Sequence, residues 1–117
     1  MRARRFFIFV LLNLDLWSPL RYSTHMIKTW KHKGLRDFFE TGSTAGIQAS
    51  HKIRLKVILQ RLNAAIKADD LNLPGMQFHS LKGKEKDYFA VSVNGNWRVI
   101  YKFEGNDAIL VDYLDYH

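Results

Sequence analysis

The last third of the chain alternates apolar and polar residues with a period of two, and this pattern constrains the fold more than any other feature. Such alternation is typical of strands that bury one face. The dipeptide Asn94-Gly95 is a strong hairpin-turn signal, and residues 104–107 provide the next turn. The sequence therefore predicts three consecutive antiparallel strands. Their apolar positions are Phe89, Val91 and Val93; Trp97, Val99, Tyr101 and Phe103; and Ile109, Val111 and Tyr113.

Two helices are predicted before these strands. Leu35, Phe38 and Phe39 have the i, i+3, i+4 spacing of a short helix face, and Gly42 stands where a helix stop is expected. A longer helix is predicted from Gln48 to Lys67. Its apolar stripe consists of Leu55, Ile58, Leu59, Leu62 and Ile66.

A short β-patterned segment, residues 27–30, opens this part of the chain. The predicted element order is β-α-α-β-β-β. This is an α+β fold in which a small antiparallel sheet carries two helices packed on one face.

Residues 1–25 differ in character from the rest. Arg2, Arg4 and Arg5 precede an apolar run over 6–12, which imitates a signal peptide. The run is broken by Asn13, lacks a small-residue cleavage site and is shorter than the roughly 20 residues that cross a membrane. We expect Met26 to be the native start, so that 1–25 are an extension and 26–117 the domain. A loosely docked tail and a signal peptide are the alternatives.

The charge balance favours a polyanionic partner. The 117 residues carry a formal net charge of +7 and no cysteine. A strongly basic domain suits nucleic acid, although charge alone does not separate RNA from DNA or from an acidic protein. The lack of cysteine excludes disulfides and thiolate zinc sites, and it fits a cytoplasmic protein.

Three polar clusters stand in apolar surroundings and carry the candidate chemistry. They supply imidazoles, a carboxylate, a phenol and fixed cations, an inventory suited to cleaving a phosphodiester. Each has a plain structural alternative: a surface histidine, a solvated loop, an exposed strand residue or a frayed tail. The residues are His79 and Lys82; Arg98; and Asp115, Tyr116 and His117.

Four motifs over Met26 to His117 together resemble the HigB branch of the RelE-like toxins of bacterial toxin–antitoxin pairs. They are Ile27-Lys28-Thr29-Trp30-Lys31-His32-Lys33-Gly34-Leu35, His79-x-Leu81-Lys82-Gly83, Asn96-Trp97-Arg98 and Asp115-Tyr116-His117. Ser80 stands where proline is common in that family, and Phe89-Ala90 where Trp-Ser is common. We expect these departures to change packing more than chemistry.

The resemblance implies a RelE-like fold and a type II toxin that is a ribosome-dependent mRNA endonuclease. It implies the 70S ribosome and mRNA as partners, inhibition by a HigA-like helix-turn-helix antitoxin, and contact with operator DNA only through that antitoxin. No cofactor, metal or membrane is expected. In such a reaction the 2′-hydroxyl attacks the adjacent phosphorus, so RNA is cut and DNA is not.

The family pattern also suggests roles for individual residues. His79 and His117 are the candidates for proton transfer, although the sequence does not say which is base and which is acid. Asp115 would act as a base or orient an imidazole, and Tyr116 would donate a hydrogen bond or stack on a base. Lys82 and Arg98 would hold the phosphate.

A second basic region is predicted to bind RNA or the ribosome, with a solvated helix face as the alternative. We expect His32 and His51 to be surface residues near helix starts. The rival to an enzyme is a non-catalytic partner of the antitoxin in an operator-binding repressor complex. The basic residues are Lys28, Lys31, Lys33, Lys52, Arg54, Lys56, Arg61, Lys67 and Lys84.

Overall fold

Two helices precede four strands in residues 26–116, the part of the chain that the computed structural model describes. The strands are antiparallel and follow one another across the sheet in chain order, which confirms the predicted α+β class. The predicted extension of residues 1–25 and the candidate residue His117 lie outside the described residues. The elements are α1 (Lys33–Thr41), α2 (Lys52–Ala64), β1 (His79–Ser80), β2 (Phe89–Asn94), β3 (Trp97–Glu104) and β4 (Asp107–Asp115).

Both ends of α1 are set by local sequence. The His32 imidazole precedes the helix, and its Nδ1 accepts the backbone N–H of Leu35 at 2.9 Å. Gly42 ends the helix in the left-handed region, at φ 84°, and its N–H donates to the Phe38 carbonyl at 2.9 Å. Glycine enters this region without the steric cost of a Cβ. The predicted stop at Gly42 is confirmed, and His32 is a half-buried helix cap rather than a plain surface residue.

Gly34 and Gly46 bring the start of α1 and the following loop into backbone contact. A Cβ on Gly46 would lie 2.5 Å from the Gly34 Cα, and one on Gly34 would lie 2.7 Å from the Gly46 Cα. Neither distance is tolerated without moving the backbone. Only two glycines permit this approach.

Gly46→Ala should therefore destabilise the protein by about 1–3 kcal/mol, the range for overpacking a closed contact. An alanine at an unstrained open site would instead stabilise slightly, because it restricts the unfolded chain. Urea unfolding measures the difference. Thr44→Ala, in the same exposed loop, is the control and should change stability by less than about 0.5 kcal/mol. Equal stability of the Gly46 variant and the wild type would contradict the contact.

The second helix ends at Ala64, three residues before the predicted end at Lys67. Ala65 is extended, and the Asp70 carboxylate accepts the backbone N–H of Ile66 at 2.9 Å, so the chain turns away from the helix axis. The prediction that Ile66 belongs to the buried stripe is wrong, since this side chain is 47% exposed. The other four stripe residues are confirmed, because Leu55, Ile58, Leu59 and Leu62 are fully buried.

The predicted opening strand is two isolated parallel bridges to β4. Ile27 pairs with Ala108, and Trp30 pairs with Val111. Between them β4 bulges at Leu110, which has φ 55° and donates its N–H to the Thr29 hydroxyl at 2.8 Å. The bulge interrupts the ladder, so the segment lies along the sheet edge without forming a regular strand.

The main core lies between the helices and one face of the sheet. Val99 and Tyr101 of β3 are fully buried there, as the alternation predicts. The Tyr101 hydroxyl donates to the Ala68 carbonyl at 2.9 Å. A smaller cluster of Leu81, Ala90 and Ile100 covers part of the opposite face. We call that opposite face, against which neither α1 nor α2 packs, the open face.

His51 belongs to the main core, so the prediction that it lies on the surface is wrong. It is 4% exposed, and its Nδ1 lies 2.7 Å from the Tyr113 hydroxyl. Its ring also packs edge-on against Trp97, with 5.5 Å between centroids. A short 3₁₀ turn over Ala49–His51 directs the imidazole inward at a position that sequence spacing assigns to a helix start.

Candidate functional site

The sheet register places most of the predicted catalytic residues on the open face. Residues directly opposite each other in an antiparallel ladder have side chains on the same face, as do residues two apart along a strand. Arg98 therefore shares a face with buried Ile100, and Tyr116 shares it with Leu114. Two rows of paired residues cross this face: His79, Ala90, Ile100 and Asp112 in one, and Ser92, Arg98 and Leu114 in the next.

Arg98 is held at the hairpin between β2 and β3. Its NH1 nitrogen donates to the Gly95 carbonyl at 2.6 Å and to the Trp97 carbonyl at 3.0 Å. The central hairpin residues are Gly95-Asn96, one position later than the Asn94-Gly95 signal suggests, because β2 bulges after Ser92. These contacts use one terminal nitrogen of a group with five N–H donors. The guanidinium is thus oriented while retaining donors for an anion.

His79 is exposed on the edge strand β1 with its ring orientation fixed. Its Nδ1 lies 3.0 Å from the Gln77 carbonyl. A carbonyl only accepts hydrogen bonds, so this contact requires the proton on Nδ1. In the neutral ring the lone pair is then on Nε2. The protonated ring keeps the same bond, so His79 can gain or lose the Nε2 proton without turning.

Tyr116 joins the end of the sheet to the turn after β1. Its N–H donates to the Asn96 carbonyl at 2.8 Å, and its hydroxyl donates to Glu85 Oε1 at 3.2 Å. The hydrogen bond to Glu85 raises the pKa of the Tyr116 phenol, and the Glu85 charge adds to the effect. The phenol therefore stays protonated at neutral pH and remains a hydrogen-bond donor.

The loop between β1 and β2 contributes three exposed lysines, Lys82, Lys84 and Lys86. Lys82 immediately precedes a short 3₁₀ turn over Gly83–Glu85, and Lys84 lies within it. Leu81, beside them, is buried and bonds through its N–H to the Tyr88 carbonyl at 2.9 Å. Leu81 thus holds the start of the loop against the open face, and the ammonium groups of the loop lysines reach solvent.

Among the described candidates, Asp115 is separated from those on the open face. Its Cα pairs with that of Trp97, which packs against the main core, whereas the neighbouring pair Arg98–Leu114 faces the other way. The register therefore places the Asp115 carboxylate on the opposite face from Arg98 and Tyr116. Its predicted role as a base or an orienting group stays a prediction.

The predicted basic region is divided between surfaces. Lys31 and Lys84 line a pocket on the open face, whereas Lys52 and Lys56 line a pocket of about 280 Å³ between α1 and α2. Arg61 is exposed on α2, and Lys67 is exposed beyond the helix end.

Three residues of that region have partners within the protein. Lys28 pairs with Asp107 at 3.2 Å and Lys33 with Asp37 at 2.8 Å. The Arg54 NH2 nitrogen donates to the carbonyls of Gly75 at 2.7 Å and Ser92 at 2.9 Å, so this side chain fastens α2 to the sheet.

Sequence reasoning missed four residues of the open face. Glu85, Tyr88 and Asp112 line the pocket there, and the Lys102 ammonium lies 5.3 Å from the Tyr88 ring centroid. Period-two spacing does place Lys102 on the face of Arg98, although Lys102 was not among the predicted site residues. No spacing signal marks the others, because they come from a loop and from a different strand.

Two negative findings apply to residues 26–116. No helix there is long and apolar enough to cross a bilayer. Nor does that stretch group three or more His, Asp or Glu side chains closely enough to hold a metal ion.

A small antiparallel sheet with helices on one face and a basic, polar open face is the architecture expected of a RelE-like toxin. Residues 28–117 match the family described as RelE-like toxin of type II toxin-antitoxin system HigB. The chain is 39% identical over 92 residues to the endoribonuclease HigB of Proteus vulgaris, covering 79% of this chain and all of that protein. The chain therefore belongs to the HigB-like toxin family, and membership implies an antitoxin partner.

Among solved structures, a copper-bound mutant toxin from Helicobacter pylori is similar with a TM-score of 0.45 and 19% identity. The alignment covers 77% of this chain and 93% of that one.

Proposed function

We propose that this protein is an endoribonuclease that cleaves mRNA on the ribosome by attack of the 2′-hydroxyl on the adjacent phosphorus, and so inhibits translation. The observation that carries the proposal is the convergence of His79, Arg98 and Tyr116 on the open face. The Arg98 and His79 backbones are two strand spacings and one row of paired residues apart, roughly 12 Å, which leaves room for a phosphate between the two side chains. The similarity to a relative named an endoribonuclease supports the same activity.

Each candidate group has a task that suits its chemistry. Arg98 and Lys82 would neutralise the phosphorane, and the oriented Nε2 of His79 would take the 2′-hydroxyl proton. His117 would donate a proton to the leaving 5′-oxygen, and the ring of Tyr116, whose O–H is donated to Glu85, would stack on a base. The products would be a 2′,3′-cyclic phosphate and a 5′-hydroxyl. No step requires a cofactor.

The exposure of the site supports dependence on the ribosome. His79 and Lys82 lie on an open surface, and a shallow site supplies little of the positioning that in-line attack needs. The ribosome would supply it by holding the message. On the helix side, Lys52, Lys56 and Arg61 would contact ribosomal RNA, whose phosphates dominate such affinity.

The purified protein should cut message in a programmed ribosome much faster than the same RNA free in solution. A 2′-deoxy nucleotide on the 5′ side of the cut should block cleavage, because it lacks the attacking hydroxyl. Primer extension and end-group analysis measure these results. Products with a 5′-phosphate, or efficient cutting of DNA, would contradict the mechanism. If induction leaves both growth and messages intact, the protein is instead a non-catalytic partner of its antitoxin.

We also propose that residues 26–117 carry the full activity in the cytoplasm, where ribosomes and message meet. The family match begins at residue 28, and the Met26 backbone nitrogen lies 3.0 Å from Asp107 Oδ1. A chain starting at Met26 would place its ammonium group on this carboxylate, a favourable charge pair.

A protein that starts at Met26 should therefore keep its fold and its growth-arrest activity. Circular dichroism and an induction assay measure the two properties. Loss of either on truncation would show that residues 1–25 contribute to the domain.

A further inference from the structure

The open face holds two carboxylates within a surface otherwise suited to phosphate. Glu85 and Asp112 line a pocket of about 210 Å³ beside Lys31 and Lys84. Carboxylates repel phosphate, so a surface that only bound an RNA backbone would gain nothing from them. Carboxylates do accept hydrogen bonds from the amino groups of nucleobases.

Both carboxylates are held in place. Asp112 Oδ1 accepts the backbone N–H of Tyr113 at 2.9 Å, and Glu85 Oε1 accepts the Tyr116 hydroxyl at 3.2 Å. Each of these bonds engages one oxygen of a group that has two. The pocket therefore presents oriented acceptors.

The remaining walls suit a flat ring. Ile100, which is 4% exposed, and Leu114 form an apolar floor. Tyr88 forms one side, with the ammonium groups of Lys31 and Lys102 at 5.9 Å and 5.3 Å from its ring centroid. The volume is below the roughly 300–1,000 Å³ of sites for drug-sized ligands, so the pocket suits a single base.

Leu114 joins this pocket to the proposed phosphate site. It lines the pocket, and its Cα is paired with that of Arg98 on the neighbouring strand. One strand spacing is about 5 Å, so a base in the pocket belongs to a nucleotide at or next to the phosphate held by Arg98.

We propose that this pocket binds a nucleobase beside the cleaved bond and that Asp112 and Glu85 select bases with an exocyclic amino group. Adenine, cytosine and guanine each carry one, whereas uracil carries only carbonyl oxygens outside its ring. The carboxylates attract the amino group and repel the carbonyl. This inference rests on the proposed RNA cleavage and names the feature of the RNA that the site reads.

The test compares the wild type with Asp112→Asn and Glu85→Gln by mapping cut positions across cellular messages. Each amide keeps an oxygen for its existing hydrogen bond, so the fold is retained, but it can also donate to uracil O4. At one fixed position beside the cut, the wild type should disfavour uracil at least about fivefold. Asp112→Asn should reduce this bias toward unity. Glu104→Gln, in the exposed turn between β3 and β4, is the matched control and should leave the bias unchanged.

A second measurement needs no cleavage. The four nucleoside 5′-monophosphates are titrated into purified protein while the methyl resonances of Ile100 and Leu114 are followed by NMR. AMP, CMP and GMP should shift them at lower concentration than UMP, and Asp112→Asn should remove the difference.

An unbiased wild-type cut profile, or one that both variants leave unchanged, would overturn base selection. If the wild type cuts no RNA, the proposed function fails, and the titration alone decides the pocket: equal shifts with UMP, or no shifts with any nucleotide, would overturn it.

Discussion

Arg98→Ala should abolish growth arrest and lower single-turnover cleavage of ribosome-bound message by about 10²–10³-fold. That range is the usual cost of removing one oriented donor from a developing oxyanion. The guanidinium is fixed by the Gly95 and Trp97 carbonyls at the hairpin, so it meets the phosphorane without reorganising. An alanine removes both the charge and the orientation.

The stability cost of this change should be modest. The carbonyls that Arg98 contacts lie at or next to an exposed turn, where water can replace a lost donor at about 1 kcal/mol. Arg98→Lys separates charge from geometry, because lysine keeps the charge and loses the bidentate fork. We expect it to recover only part of the rate.

Arg36→Ala on α1 provides the control for loss of an arginine. Arg36 lies 3.6 Å from the neighbouring Asp37 carboxylate, on a helix that packs on the other side of the sheet from the open face. This variant should arrest growth like the wild type. If the Arg98→Ala protein is unfolded, Arg98 has a structural role. If the variant is fully toxic, Arg98 does not belong to the site.

Replacing either candidate proton-transfer histidine should cost about 10²–10⁴-fold in the rate of single-turnover cleavage, the usual contribution of a general acid or base. For His79 the structure allows a matched pair of variants. His79→Asn places an amide nitrogen near the position of Nδ1, where it can keep the bond to the Gln77 carbonyl, and His79→Gln extends toward Nε2. Neither amide accepts a proton, so both should be inactive.

His117→Gln and deletion of His117 test the second histidine. If His117 transfers a proton, both variants should be defective while their unfolding midpoints stay near that of the wild type. A near wild-type rate in His117→Gln would leave proton transfer to His79 and another group. A near wild-type rate in both His79 variants would show that His79 is not the base.

The sequence alone was enough to predict the fold class and the faces of the sheet. The period of two over residues 89–113 assigned Val99 and Tyr101 to the core and Arg98 to the opposite face. Successive side chains of a strand point to opposite faces of the sheet, so the sequence position determines the face. Gly42 predicted the end of α1 for a similarly local reason, since left-handed backbone favours glycine.

Contacts that the periodic patterns do not encode decided the rest. A side-chain bond from Asp70 ends α2 early and exposes Ile66, and packing against Trp97 and Tyr113 buries His51. Asp70 lies outside the periodic pattern of α2, and Trp97 and Tyr113 are distant from His51 in the sequence. Helical spacing carries no information about them.

The composition of the candidate site shows the same division. Short motifs identified His79, Lys82, Arg98 and Tyr116, because residue type and local spacing suggested their chemistry. Cross-strand register then separated Asp115 from the open face and brought Glu85 and Asp112 beside the polar cluster. Register depends on bulges and on pairing between distant segments. The set of residues that share the site is therefore visible only in the assembled sheet.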